Sequence, residues 1–369
     1  MKKVVVSVTN DLSTDQRVQR ALAVWQELGY TPTFVGRQLP GSQEFNPQHP
    51  THRFKLPFTT GFGFYAAYNL ALFVYLLRHR FAVYHSNDLD TLLPNFLASR
   101  IFNKPLVYDS HEYFCGSPEI AKRPLVLWFW QSLERFLFPR LKNIITVNSS
   151  IARLYQEAYG KKLWVVRNIG DSLLPAPATR EELGLPPDKF ILINQGAGIN
   201  VDRGMEEVLE SLPLLPAEVV LLLVGKGDVI PKLKTLVQQR NLQERVIFVP
   251  PQNYARLLQY TACADAGLSL DKDTNLNYRF SLPNKLFDYI KCEIPVICSN
   301  LKEVRGIVEF YQIGEVTGHA PEQMAAAVQK VLQKGRAFYR ENLQRAAREN
   351  NWEQEREVLK QCFLQAVKV

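Results

Sequence analysis

Cysteine is scarce in this 369-residue sequence, and the five that occur, Cys115, Cys263, Cys292, Cys298 and Cys362, are odd in number, scattered and without a Cys-x-x-Cys pair. Neither a disulfide framework nor a zinc site is signalled, and a reducing cytoplasm fits. Long apolar runs are missing too. The stretch 62–77, rich in Phe, Tyr and Leu, is too short and too interrupted to span a bilayer. The first apolar run, residues 4–8, gives way to Thr9, Asn10 and Asp11 far too early for a signal peptide and reads instead as a first strand. Low-complexity tracts are absent, and a chain with 46% hydrophobic and 22% charged residues is expected to fold throughout.

What is present is an alternation. Short apolar runs at 4–8, 33–35, 82–84, 106–108 and 144–147 alternate with helical periodicity, beginning with a helix near 14–28. Pro175, Pro177, Pro186 and Pro187 interrupt the rhythm, and it resumes with runs at 190–194, 219–224, 246–249, 266–270 and 295–298. The reading is α/β: two Rossmann-like, doubly wound parallel-sheet domains, 1–170 and 189–349, joined by a linker at 171–188, with a helix at about 350–369 returning to the first. In such sheets ligands bind beyond the carboxyl ends of the strands, so the residues that follow each run are the candidates.

In the second half the run 190–194 leads into Gly196, Gly198, Arg203 and Gly204, and the run 219–224 leads into Gly225, Lys226 and Gly227. Ser281, Leu282, Pro283, Asn284, Lys285 and Asp288 follow the polar loop after 266–270. Pro283 disfavours helix before it and Asn284 is a good N-cap, which predicts a helix over 285–291. Its positive end, with Lys285 and Arg203, would seat a diphosphate; Asp288 is placed to accept hydrogen bonds from a ribose, and the glycines to let backbone approach the ligand. In the first half His85 and Asp88 follow one strand, and His111 and Glu112 follow another. Asn10, Asp15 and Arg17 lie in the loop after the first strand, where Arg17 either reaches a phosphate or holds Asp15 at the helix start.

These motifs carry a resemblance. The Gln195-Gly196, Arg203-Gly204, Val224–Gly227, Ser281–Tyr289 and Pro295–Ile297 signatures, together with His85 to Asp88 and Tyr108 to Glu112, resemble the family-4 (group 1) retaining glycosyltransferases of the GT-B fold, in the branch reading Ser-Leu-Pro-Asn-Lys-Leu-Phe-Glu/Asp-Tyr. The resemblance covers both halves. It implies two domains facing across a cleft, a nucleoside diphosphate sugar as donor substrate with no cofactor, and a saccharide or lipid-linked acceptor in a cell-surface polysaccharide or glycolipid pathway. The catalytic set it implies is His111, Arg203 and Lys285. Gly196, Gly198, Gly204, Gly225, Gly227, Ser281 to Asn284 and Asp288 would bind the donor, and Asn10, Asp15, Arg17, His85, Asp88 and Glu112 would face the acceptor. Two positions depart from the family pattern: Phe280 stands where a sugar-gripping glutamate is usual and Ala197 where an arginine is common.

Charge adds a partner. Residues 1–170 carry 20 Lys and Arg against 11 Asp and Glu, whereas 171–369 carry 24 against 25. The excess, with Trp128, Phe129 and Trp130 among basic residues in 123–142, points to peripheral contact with an anionic membrane at the cytoplasmic face; the bland alternative is a pair of crossover helices packed on the sheet. No nucleic-acid motif is present. Asp88-Leu-Asp90 and Asp271-Lys-Asp273 have the form of a metal-binding Asp-x-Asp, but a cationic diphosphate site replaces the metal's role, and no metal is expected. Gly196-Ala-Gly198 lacks the third glycine of a dinucleotide fingerprint, which disfavours an NAD enzyme. A sugar-nucleotide epimerase and a non-catalytic sugar-nucleotide-binding protein remain the rival readings.

Overall fold

The computed structural model describes residues 2–11, 15–39, 49–171 and 173–368. Two compact units result, one of residues 1–168 with 355–369 and one of residues 169–354.

The first unit is a seven-stranded, all-parallel sheet. Its strands are β1 (Lys2–Asp11), β2 (Tyr30–Arg37), β3 (Thr51–Phe54), β4 (Val83–Asn87), β5 (Leu106–Ser110), β6 (Asn143–Thr146) and β7 (Trp164–Val165), in the order β3-β2-β1-β4-β5-β6-β7. The reversal beside β1 puts β1 and β4 at the centre, and their register pairs Val6 with His85 and Ser7 with Ser86. Central strands are covered on both faces, which is why Val4, Val5, Val6 and Val83 read as continuous apolar runs and are all buried. Helix Gly61–Arg78 packs through Phe64, Tyr68, Leu72 and Leu76, a stripe repeating every four residues against Val5, Val35 and Tyr84. Helix Gln16–Glu27 buries Trp25, which stacks on Phe363 with ring centroids 4.0 Å apart. Phe363 belongs to the last helix, Trp352–Val367, whose Arg356 and Lys360 also reach Glu27.

The second unit is a six-stranded parallel sheet of β8 (Phe190–Gly196), β9 (Val219–Gly225), β10 (Val246–Val249), β11 (Ala266–Ser269), β12 (Val296–Ser299) and β13 (Gly314–Thr317), in the order β10-β9-β8-β11-β12-β13. Its switch point is β8/β11, so the loops after these strands converge. Residues 173–188 contain no regular helix or strand yet belong to this unit: Leu183 and Leu185 are buried in its core, and Arg180 bonds Asp265 and the carbonyls of Cys263 and Lys189.

Three of these strands have no counterpart among the apolar runs of the sequence: β3, β7 and β13. All three are sheet edges, only partly buried, so their residues need not be apolar. Among the described residues no helix is long and apolar enough to cross a membrane.

Candidate active site

In the second unit, β8 and β9 end side by side in Gly196 and Gly225. A Cβ on Gly225 would lie 1.9 Å from the Gly196 carbonyl oxygen, and one on Gly227 would lie 1.8 Å from that of Ile199. These glycines therefore let two loops press together. Lys226 donates its N–H to Gly196 at 3.1 Å, Ile199 donates to Lys226 at 3.0 Å, and Asp228 accepts from the N–H of Val201 at 2.9 Å. Gly204, with φ +78°, turns the chain into the short helix Met205–Ser211, where a Cβ would meet Leu270 at 2.6 Å. Gly198 lies beside the Arg203 guanidinium, while Gly196 has open space where a side chain would be.

The cations sit beyond these strand ends. Helix Asn284–Lys291 starts one residue earlier than expected: Pro283 occupies the cap position, no side chain caps the helix, and Asn284 is its exposed first residue. The Asn284 cap is thus corrected. The reason is local, since Pro283 with extended backbone already fixes the entry and leaves Asn284 helical. Lys285, one step inside, is buried and donates to Asn194 Oδ1 at 2.7 Å. Burial pushes its ammonium down to about 8; Asp271 opposes that shift and Arg203 adds to it. The Asn194 side-chain nitrogen is buried with no hydrogen-bond partner among the described residues.

Asp271, two residues after β11, accepts from Ser281 Oγ at 3.0 Å and from Arg203 Nη1 at 3.3 Å, and the Arg203 guanidinium stacks over Tyr278 at 4.8 Å. Arg203, Lys285 and Ser281 are thereby brought into one cluster around Asp271.

Asp288 is a second correction. It is buried and turned into the unit, accepting from Gln195 Nε2 at 3.0 Å and from the Tyr254 hydroxyl at 2.6 Å. Gln195 in turn accepts from Thr261, so Asp288 braces β8 against two helices and is not presented to a ribose. Its neighbouring cavity of about 190 Å³ is lined also by Gly170, Lys291 and Asn350.

In the first unit β4 and β5 lie in register with Asn87 opposite Asp109. Asp88 follows with φ +57° and ψ 167°, a backbone that non-glycine residues seldom adopt and that is stored at a cost of ~1–3 kcal/mol. Its carboxylate holds His111, accepting the backbone N–H at 2.8 Å and standing 3.5 Å from Nδ1. His111 Nε2 is 3.1 Å from Asn87 Oδ1 and 3.7 Å from Asp109 Oδ2. Burial alone would lower the imidazole, but the carboxylates of Asp88 and Asp109 outweigh it and raise His111 to about 9, so the ring is an imidazolium at neutral pH. Burial, reinforced by Asp88, lifts neighbouring Asp90 to about 7, and Thr9 donates to it at 2.6 Å.

Two of the acceptor-side expectations fall away here. Arg17 is buried, its guanidinium forked onto Asp109 at 2.7 and 3.0 Å and donating to the Val166 carbonyl at 2.9 Å; it reaches neither a phosphate nor Asp15. His85 is fully buried, accepts from Trp25 Nε1 at 3.1 Å, and is pushed down to about 4, chiefly by burial, so it is a neutral core residue. Asp15 caps helix Gln16–Glu27 through the N–H of Val18 at 3.1 Å and takes a hydrogen bond from Asn10 at 3.1 Å. Residues 12–14 of the expected acceptor loop lie outside the described residues. Glu112 accepts from Ser110 Oγ through its carbonyl only 2.7 Å away, which fixes the backbone after β5.

The sequence reading missed Asn194, Asp109, Tyr254 and the role of Asp271. Asp271 and Asp109 stand at strand ends, and that position was the available signal.

Residues 176–350 match the group 1 glycosyl transferases and residues 16–171 match glycosyltransferase family 4. The chain is a group 1, family-4 glycosyltransferase. This GT-B transferase, whose family draws on nucleotide-sugar donors, superposes on sucrose-phosphate synthase from Thermosynechococcus elongatus with a TM-score of 0.82 at 18% identity, covering 99% of each chain. HepE from Anabaena in complex with UDP-glucose gives 0.76 at 16% identity, over 99% of this chain and 100% of that one. WaaG, a glycosyltransferase of lipopolysaccharide biosynthesis, gives 0.74 at 16% identity over 98% of each. No curated protein matches the chain in sequence.

Proposed function

We propose that this glycosyltransferase moves a sugar from a nucleoside diphosphate sugar to the hydroxyl of a saccharide or lipid-linked acceptor, with retention, in the assembly of a cell-surface polysaccharide or glycolipid at the cytoplasmic face of the membrane. The observation that carries the donor assignment is the buried Lys285, hydrogen-bonded to Asn194 beside Arg203 at the strand ends, in a chain of this family. Lys285 is held by an amide, and the Arg203–Asp271 contacts are long at 3.3 and 3.4 Å. Both stabilise the charge that grows on the leaving diphosphate, a role in which preorganised donors contribute most of the rate. Uridine diphosphate is the first nucleotide to test, since HepE is solved with UDP and with UDP-glucose.

His111 serves the transferred sugar. As an imidazolium fixed by Asp88 and Asn87 it presents a positive charge in one orientation, whereas a neutral ring would carry none. No side chain is assigned as a nucleophile.

Peripheral membrane contact is supported by helix Pro124–Leu137, which buries Trp130, Glu134 and Leu137 and exposes Leu125, Trp128, Phe129 and Phe136. Every exposed charged side chain described between 120 and 142 is basic: Lys122, Arg123, Arg135, Arg140 and Lys142. Sedimentation with phosphatidylglycerol vesicles checks this, and failure to associate removes it.

The central test is turnover. Lys285→Ala and Arg203→Ala should each lower kcat by orders of magnitude while the fold persists, and near-normal rates would sink the donor assignment. Product analysis separates the rivals: acceptor-dependent nucleotide release means transfer, an altered free sugar nucleotide means epimerisation, and tight binding without turnover means a binding protein.

A further inference from the structure

A cavity of about 200 Å³ opens in the first unit at the amino ends of β5 and β6, where Pro105, Leu106 and Asn143 line it. Four cations surround it, Arg100 and Lys104 from the end of helix Leu89–Ile101 and Arg140 and Lys142 from the turn before β6, and among the described residues its lining includes no carboxylate. The two arginines are held in place. Arg140 donates to the Phe136 carbonyl and lies 4.2 Å over the Phe136 ring; Arg100 donates to the Arg140 carbonyl at 3.4 Å and lies 5.1 Å over Phe96. The side chains of the two lysines have no hydrogen bond or ion pair with any described residue, and both are exposed.

Helix-end carbonyls account for the arginines as caps, but they do not account for two further lysines on the same small cavity. Four like charges around 200 Å³ repel, and nothing in the lining offsets the repulsion. An anion would. Arginine forks and lysine ammonium groups are the pairing that recognises phosphate oxygens.

We propose that this pocket binds a phosphate group, carried by a soluble phosphorylated molecule or by a lipid headgroup, at a site separate from the donor site. β5 runs five residues from the pocket at Leu106 to Ser110, beside His111, so the pocket lies roughly 15 Å from the His111 cluster at the opposite end of the same strands. The proposal goes beyond the donor and acceptor assignments and does not depend on them.

The experiment is a thermal-shift titration of the full chain with inorganic phosphate, ionic strength being matched with sodium chloride, since a ligand of the folded state raises Tm saturably. A second arm measures sedimentation with phosphatidylglycerol and with phosphatidylcholine vesicles. Wild type is compared with Lys104→Glu/Lys142→Glu, with the milder Lys104→Gln/Lys142→Gln should the first fail to fold, and with Lys285→Ala. The expected result is a saturable phosphate shift whose affinity falls at least tenfold in the pocket variants and is unchanged in Lys285→Ala, with glycosyl transfer to a soluble acceptor unaffected in the pocket variants. A tenfold parallel loss of phosphatidylglycerol binding identifies a headgroup as the source of the phosphate; vesicle binding that is unchanged identifies a soluble one. Absence of a saturable shift, or a shift lost in Lys285→Ala and kept in the pocket variants, overturns the proposal.

Discussion

With the donor role proposed for Lys285, donor binding is expected to depend on pH in a way that can be worked out in advance. Its buried ammonium loses its proton at about 8, below the usual 10.5, because burial disfavours the charge and Asn194 supplies only a neutral acceptor. In the ligand-free chain the charged fraction is then about nine-tenths at pH 7 and about one-tenth at pH 9. A diphosphate is already about nine-tenths ionised at pH 7 and binds the charged form, so its apparent affinity should fall about tenfold from pH 7 to pH 9, or ~1.4 kcal/mol. The stability of the free chain runs the other way. A base whose folded value lies below its unfolded one leaves the unfolded state holding more protons between about 8 and 10.5, so stability rises with pH across that window. Isothermal titration calorimetry with UDP from pH 7 to 9.5, in two buffers of different ionisation enthalpy, reads both the affinity and the proton uptake. Lys285→Arg, which stays charged, should bind more weakly at pH 7 but with little dependence on pH. A flat wild-type profile, or the same slope in Lys285→Arg, would refute the reasoning.

Two further outcomes concern the first unit. Arg17→Ala leaves the Asp109 carboxylate buried without its fork and should cost about 3–5 kcal/mol in urea unfolding, with Arg17→Lys between it and wild type; a loss below about 1 kcal/mol would mean that the pair is not holding the sheet end. His111 has the opposite sign to Lys285: its folded value of about 9 exceeds the ordinary 6.5, so its stabilising contribution is full below about 6.5 and is lost as pH rises through 9. His111→Gln should flatten stability across that window, and an unchanged pH–stability profile would show that the ring is not an imidazolium.

Much of the molecule was legible because each buried parallel strand carries a short apolar run. Every interior strand, β1, β2, β4, β5, β6, β8, β9, β11 and β12, was visible as such a run. The edge strands β3, β7 and β13 were not, since Thr51-His-Arg-Phe and Gly314-Glu-Val-Thr face solvent in part and carry no apolar signature. At the site, strand-end position pointed correctly to the places where chemistry-bearing residues gather, but not to the direction in which they face. Arg17 and Asp288 stand at positions suited to a ligand and turn inward, to Asp109 and to Gln195 with Tyr254. Sequence spacing fixes which element a side chain is on; its rotamer answers to partners distant in sequence, such as Asp109, 92 residues from Arg17, which spacing does not reveal.

The two Asp-x-Asp matches show the same limit from the other side. Each begins with a carboxylate set beside a cation: Asp88 beside His111 and Asp271 beside Arg203. Among the described residues no group of three His, Cys, Asp or Glu side chains could hold a metal ion. What these aspartates do is electrostatic. Asp88 keeps His111 protonated, and Asp271, steadied by Ser281 at 3.0 Å, keeps Arg203 at the strand ends through contacts of 3.3 and 3.4 Å. A contact that long is weak enough for an incoming diphosphate to compete with, yet sufficient to hold the guanidinium over Tyr278 beforehand. A closer Asp271–Arg203 pair would neutralise the cation that the leaving group needs, and removing Asp271 would leave Arg203 and Lys285 to repel one another. On the proposed donor assignment, the carboxylate would therefore let two cations share one site until the substrate's own charge replaced it.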